Sequence, residues 1–203
     1  MNKGRALLLV LSMMLLTFNA SAQMVKASFG VTGGGISTMM HTQPPTKTNN
    51  YMSGYGGAFT TLNFGDGFGV RAGMNYAMQG GEYELKGTQC FAEQAYLNIP
   101  VEFLFHLKSF FSLEAGFYQN VLLSSSFSEN GGSCVVTPDE GALEYNIGAL
   151  AGVSINLGKM IFLNARYNYG LSKAYVIYGK GYPVSSITFG IGFNLLTTKK
   201  SAI

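Results

Sequence analysis

The side chains able to do chemistry in this chain are few: His41 and His106, Cys90 and Cys134, and four charges set inside otherwise uncharged stretches, Arg71, Glu102, Glu114 and Arg166. Two carboxylates and two guanidiniums suit fork-to-fork ion pairing, and the set is net neutral. An even cysteine count suits a disulfide in an oxidising compartment; otherwise the two are free thiols. His41 with Ser124, Ser125, Ser126 and Asp139 supplies the residue types of a hydrolase: nucleophile, base and orienting acid. Serine-rich stretches are common without chemistry, so that set alone decides little. The sequence has no metal-ligand spacing, phosphate loop or nucleotide motif, and neither metal nor cofactor is expected. Whether any of these groups can meet depends on the elements that carry them.

At the N-terminus, Lys3 and Arg5 precede an apolar run, Ala6 to Phe18, broken only by Ser12 and Thr17. Ala20-Ser21-Ala22 follows as a small-x-small signature. These are the three parts of a secretory signal peptide, with the cut expected between Ala22 and Gln23. The run is shorter than the ~18–20 residues a spanning helix needs. The expected organisation is a signal peptide over 1–22 and one domain over 23–203. No cysteine lies near the cut, so a lipoprotein anchor is not expected. Of the 203 residues, 47% are hydrophobic, 13% aromatic and only 11% charged, and 27 are glycine. Ordinary soluble domains carry roughly 25% charged residues. A water-soluble fold would need charged surface that this chain lacks, whereas a membrane barrel has an apolar lipid face and does not.

Period-two alternation and turn residues predict eight strands, at 25–37, 55–64, 68–80, 95–106, 110–123, 143–157, 160–172 and 184–196. In the fifth, Phe111, Leu113, Ala115 and Phe117 share one parity, and Ser112, Glu114, Gly116 and Tyr118 the other. The seventh sets Ile161, Leu163, Ala165 and Tyr167 against Asn164, Arg166 and Asn168. The eighth sets Ile187, Phe189, Ile191 and Phe193 against Thr188, Gly190 and Gly192. In the second strand both parities are mixed. Pro100, in the fourth, removes a ladder donor and is read as a local bulge. Gly65-Asp66-Gly67, Leu107-Lys108-Ser109 and Gly158-Lys159 are tight turns, while the segments around 38–54, 81–94, 124–142 and 173–183 are long and polar. Short turns on one side and long loops on the other are the pattern of an outer-membrane barrel. The expected fold is all-β: a closed, antiparallel, eight-stranded up-and-down transmembrane β-barrel. Closure leaves no strand edge unpaired in lipid. The alternative is a soluble lipocalin-like barrel with the apolar parity turned inward.

The charges favour the membrane. Four lysines and seven acids fall in or beside the long loops; Lys26, Lys108, Lys159, Lys199, Lys200 and Asp66 fall on the side of the tight turns. Only Arg71, Glu102, Glu114 and Arg166 lie mid-strand, and all four oppose the apolar parity. A Lys or Arg on the lipid face at the midplane costs roughly 2–4 kcal/mol, and none is placed there. The four therefore point into the lumen, which eight strands make just wide enough for side chains to fill. They are expected to pair as an internal plug; the alternative is the gate of a narrow channel. Cys90 and Cys134 fall in the second and third long loops, where a disulfide would tie the loops together. His41 lies in the first outer loop and His106 at the periplasmic end of the fourth strand, so the two cannot share a site. Phe64, Phe68, Phe105, Phe111, Phe162 and Phe193 are expected in a periplasmic-side aromatic girdle, and Tyr76, Tyr145 and Tyr169 in an outer one. Gln119 stands on the lipid parity, near the outer interface. Without Lys3 and Arg5, the 13 basic residues become 11 against 10 acidic ones, which is no signal for nucleic acid.

Three segments carry a resemblance. Tyr96-Leu97-Asn98-Ile99-Pro100-Val101 resembles the Tyr-Leu-x-Ile-Pro segment of the PorT-like outer-membrane β-barrel family. Ala165-Arg166-Tyr167-Asn168-Tyr169-Gly170-Leu171 is similar to that family's Ala-Arg-Tyr-x-x-Gly-Leu segment, and Tyr76 to Gly80 resembles its Tyr-x-x-x-Gly strand ending. Gly73 departs from the acidic residue the resemblance would place there, and the chain runs on past Phe193 to Ile203. The resemblance implies an integral outer-membrane barrel, and it makes Pro100 a family feature. The expected role is non-enzymatic: a structural or surface-interaction scaffold with a filled lumen. A gated small-solute channel or a secretion accessory is the alternative. The expected partners are outer-membrane lipid, lipopolysaccharide and, during biogenesis, the barrel assembly machinery. The long loops leave room for an extracellular ligand that the sequence does not identify.

Overall fold

Alternating side chains and glycine-marked turns give a meander of antiparallel strands. The computed structural model describes residues 25–40, 51–85, 88–129, 141–142, 144–173, 175–177 and 180–199. In chain order the strands are β1 (Val25–Met40), β2 (Tyr51–Phe64), β3 (Phe68–Leu85), β4 (Thr88–Lys108), β5 (Phe111–Glu129), β6 (Gly141–Ala142), β7 (Tyr145–Asn156), β8 (Ile161–Gly170), β9 (Tyr175–Ile177), β10 (Lys180–Tyr182) and β11 (Val184–Lys199). Eight of them close into a barrel in the order β1-β11-β8-β7-β5-β4-β3-β2. Every pairing is antiparallel, and β1 meets β11 from Lys26↔Lys199 to Met40↔Val184, so no edge is left in the wall. Gly65 and Gly158 hold the tight turns at φ of 66° and 96°, where a side chain is strained. Each tight turn is tied to the neighbouring hairpin: His106 N donates to Gly67 O, Asn156 N to Phe110 O and Asn194 N to Met160 O.

The polar parity faces the lumen. Thr61, Arg71, Asn75, Glu102, Glu114 and Asn120 are all buried, while Phe117, Ile147 and Phe189 on the other parity are more than half exposed. This is the reverse of a lipocalin-like barrel, so that alternative is set aside. Apolar side chains also enter the lumen: Ile36, Leu104 and Leu150 are buried, as are the rings of Phe59 and Phe162 at 3% and 1% exposure. Phe162 therefore does not belong to the girdle expected of it; its parity is that of Asn164 and Arg166. Glycines on the neighbouring strands make room for these rings. A Cβ on Gly30 would strike Phe59, and one on Gly192 would strike Phe162. Phe59 also accounts for the mixed pattern of β2, whose aromatics Tyr55 and Phe59 point inward while Gly54, Gly56 and Ala58 take the lipid side.

The strands run further outward than the alternation indicated. β3 and β4 pair as far as Leu85↔Thr88, so the segment 81–94 is mostly hairpin. β5 continues to Glu129, opposite Cys90. The reason is that alternation of apolar residues marks only the lipid-crossing part of a strand, whereas ladder hydrogen bonds continue in water. Beyond the wall, β10, β9 and β6 form a separate small sheet from segments expected as loops. Pro100 is not a bulge. The register is the same on both sides of it, and the shifts in β4 lie at Ala95/Tyr96 and His106/Lys108 instead. The proline ring faces Gly73, where a Cβ would lie 3.3 Å from Pro100 Cγ. That accounts for a glycine at that position.

Candidate functional site

The four mid-strand charges converge at the middle of the lumen. Arg71 and Glu102 are register partners on β3 and β4. Glu114, Gly152 and Arg166 occupy one row across β5, β7 and β8. Gly152 is what lets Arg166 reach over β7, since a Cβ there would lie 2.7 Å from Arg166 Cγ. Arg71 Nη1 lies 3.3 Å from Glu102 Oε2 and 3.0 Å from Glu114 Oε1. Arg166 Nη1 lies 3.0 Å from Glu102 Oε1, and Arg166 Nε 2.6 Å from Glu114 Oε2. Each arginine thus holds both glutamates and each glutamate both arginines. Side-chain exposure is 9% and 8% for the arginines and 1% and 0% for the glutamates. Charges this deep persist only when paired and hydrogen-bonded. Arg71 Nε also donates to Thr61 Oγ1 at 3.2 Å, and its guanidinium sits 4.4 Å from the centroid of Phe162 and 5.2 Å from that of Phe59. The two rings meet edge to face at 5.4 Å.

Toward the loop end, an amide ladder crosses four strands. Asn75 Nδ2 donates to Asn98 Oδ1, Asn98 Nδ2 to Asn120 Oδ1 and Asn120 Nδ2 to Asn146 Oδ1, at 3.4, 2.6 and 2.9 Å. A cavity of ≈ 30 Å³ lies beside it, bordered by Tyr55, Asn75, Asn98, Tyr118 and Arg166. A second, of ≈ 10 Å³, lies against the ion pairs beside Phe59 and Phe162. About 10–15 Å³ suffices for one water, so these spaces suit isolated waters and no organic substrate. Asn75 Oδ1, whose residue lines both cavities, is buried without a protein partner and gives such waters something to bind.

Below the ion pairs, His106 closes the tight-turn end of the lumen. Its Nε2 lies 3.0 Å from Asn63 Oδ1 and its Nδ1 2.7 Å from Ser112 Oγ. An amide oxygen only accepts, so Nε2–H donates to it and Nδ1 accepts from the Ser112 hydroxyl. Ser112 is 1% exposed, so this serine–histidine contact has no substrate access.

A polar, plugged lumen inside an apolar wall is the construction of small outer-membrane barrels. The family model described as outer membrane protein beta-barrel domain matches residues 19–176. The chain belongs to this family. No curated protein sequence matches it. Among solved structures, the outer-membrane barrel resembles Neisserial surface protein A at 16% identity, covering 83% of this chain and 99% of that one with a TM-score of 0.53. It also resembles Ail, the attachment invasion locus protein of Yersinia pestis, at 13% identity over 85% and 98%, with a TM-score of 0.49. Outer membrane protein W of E. coli follows at 14% identity over 83% and 98%, with a TM-score of 0.42. At such identities the likeness is one of fold. The outer-membrane barrel sits in the bacterial outer membrane.

Of the other sequence candidates, Ser124, Ser125 and Ser126 lie on β5, paired with Ala95, Gln94 and Glu93 of β4, rather than in a loop. His41 and Asp139, the other members of the hydrolase set, lie outside the described residues. Cys90 lies on β4, opposite Tyr83 and Glu129, and Cys134 lies outside the described residues. The lumen residues that the sequence reading passed over are Phe59, Thr61 and the amides of Asn75 and Asn98. Their parity, shared with Arg71 and Glu102, was the available signal.

Proposed function

We propose that this outer-membrane barrel is a non-enzymatic scaffold: a plugged anchor that carries its outer strands and loops at the cell surface. The observation that carries the reading is the closed ring of Arg71, Glu102, Glu114 and Arg166, with the two small cavities of ≈ 30 and ≈ 10 Å³ beside it. Eight strands leave an interior that side chains can fill completely. The expectation follows that the purified protein gives no discrete conductance in planar bilayers, and that Glu102→Gln or Arg166→Met leaves the trace silent while lowering stability. Steps in the wild type that change with either substitution would instead make the ring a gate. The two cavities share Asn75, Pro100 and Arg166 and so abut at the ring, which is the observation favouring that second reading.

Within the family, likeness to PorT-like barrels rests on Tyr96–Val101 and Ala165–Leu171, and a secretion role does not follow from those segments. Export is read from residues 1–22, so the mature N-terminus should be Gln23, which mass spectrometry of the membrane-extracted protein reads directly. A Cys90–Cys134 disulfide belongs to the same reading, as does contact of the outer surface with lipopolysaccharide or an extracellular ligand. A reduction-dependent shift in gel mobility that is absent in Cys90→Ser would support the bridge.

A further inference from the structure

On the lipid side of β4, β5 and β7 the wall carries a groove of ≈ 350 Å³ lined by Ile99, Val101, Phe117, Gln119, Ile147 and Leu171. Tyr118 and Gly148 complete it from the lumen parity. Gln119 is the one residue of this lipid-facing set with a polar side chain, and an amide facing hydrocarbon is costly unless it is hydrogen-bonded. In register it sits between Ile99 and Ile147. That row lies between the levels of two half-exposed tyrosines, Tyr145 opposite Val121 and Tyr169 opposite Ala149. Such tyrosines mark the membrane interface. Gln119 is therefore at the depth where a lipid's acyl chain ends in its polar linkage.

The outer end of the groove is held in place by hydrogen bonds. Leu171 N and Ser172 N both donate to Ile147 O, at 3.0 and 3.1 Å, and Ile147 N donates to Ser172 Oγ at 2.8 Å. This clamp folds the end of β8 onto Ile147, sets Leu171 against the groove and brings the exposed Lys173 just past it. Glu144, exposed in the bend before β7, stands on the same rim. Along the membrane normal the order is apolar groove, amide, cation.

We propose that this groove is a seat for one acyl chain of lipopolysaccharide, with Gln119 meeting the chain's amide or ester linkage and Lys173 the phosphate beyond it. The lipid follows from the side of the membrane. The long loops mark the outer face, where the leaflet is lipopolysaccharide, and its acyl chains hang from a phosphorylated sugar in this same order. A second copy of the chain fits less well, because a two-fold contact on this patch would bring like lysines together. The inference rests on the placement in the outer membrane and not on whether the lumen conducts.

The chain has no tryptophan, so Phe117→Trp introduces a unique fluorophore into the groove. Phe189→Trp does the same on β11, three strands away and equally exposed to lipid. Each full-length mature barrel is reconstituted in phosphatidylcholine vesicles with brominated acyl chains, which quench indole, and purified lipopolysaccharide is titrated in. Heat-modifiable gel mobility establishes that each variant is folded, and Leu171→Trp reads the same groove in case Phe117→Trp is not. The expected result is recovery of fluorescence in the groove variant at a severalfold lower mole fraction of lipopolysaccharide than in the β11 variant. Adding Gln119→Leu or Lys173→Ala should abolish the difference. Equal recovery at both positions would overturn the proposal, as would equal displacement by phosphatidylglycerol. Recovery that follows protein density instead of lipopolysaccharide would assign the groove to a second copy.

Discussion

At the scale of the residue, the ion-pair ring is arranged so that no member can be lost alone. Removing Arg166 leaves Glu102 and Glu114 to share Arg71 in a site both glutamates reach with almost no solvent contact. Breaking a buried pair from one side costs about 3–5 kcal/mol, because the stranded charge dominates. Arg166→Met should therefore lower the urea unfolding midpoint in detergent micelles by an amount of that order. Arg166→Met with Glu114→Gln restores neutrality and leaves the Arg71–Glu102 pair, and it should recover at least half of the loss. A double variant no more stable than the single would mean that packing of the arginine stem over Gly152, rather than charge balance, sets the stability. Phe59 and Phe162 belong to the same unit, since they cover the guanidinium of Arg71 where no carboxylate reaches it.

At the scale of the element, β3, β4 and β5 have 18, 21 and 19 residues, whereas β7 and β8 have 12 and 10. About 9–11 tilted residues cross the membrane, so the first three project beyond it as a paired extension. The barrel wall does not depend on that extension, because its pairing with β2 and β7 lies below Ala77 and Val121. Replacing residues 82–91 by Asn-Gly, a two-residue hairpin turn, should leave an outer-membrane species with the same heat-modifiable mobility; failure to fold would make the extension part of the core. This is also where the sequence was least readable. The lipid-crossing parts of β5, β8 and β11 announced themselves because lipid on one side and a polar lumen on the other impose strict alternation. Above the membrane both faces meet water, the alternation lapses, and Ser124–Ser126 reads as loop although its backbone is paired. The same logic covers the ring. Parity placed Arg71, Glu102, Glu114 and Arg166 on one face, but which charge meets which depends on stagger between strands, which no single strand encodes. Phe162 was misplaced because an aromatic near a strand end looks like a girdle residue until its parity is weighed first.

At the scale of the whole molecule, the barrel is an inverted globule, with its ring of four paired charges inside and most of its large apolar side chains outside. That inversion has a measurable consequence along the seam where β1 and β11 close the wall. Ile191 lies midway along β11, opposite Gly33 and Leu163, on the lipid parity. Leu196 lies at the tight-turn end of the same strand, opposite Phe29, and is more exposed, at 67% against 39%. In water, a lysine at either site would be tolerated, and better at the more exposed one. In a bilayer, depth decides instead: roughly 2–4 kcal/mol is lost for a lysine at the midplane and about 0–1 near the interface. Ile191→Lys should therefore shift urea unfolding in phospholipid vesicles strongly and Leu196→Lys barely. The contrast should shrink when the same two proteins are unfolded from small detergent micelles, whose thin apolar layer lets a lysine head reach water. A Leu196→Lys loss as large as that of Ile191→Lys would place the lower end of β11 inside the hydrocarbon and lengthen the embedded wall by more than a turn's height. Equal tolerance at both sites would mean that this seam does not face lipid, and the closed order of strands would have to be threaded through the membrane another way.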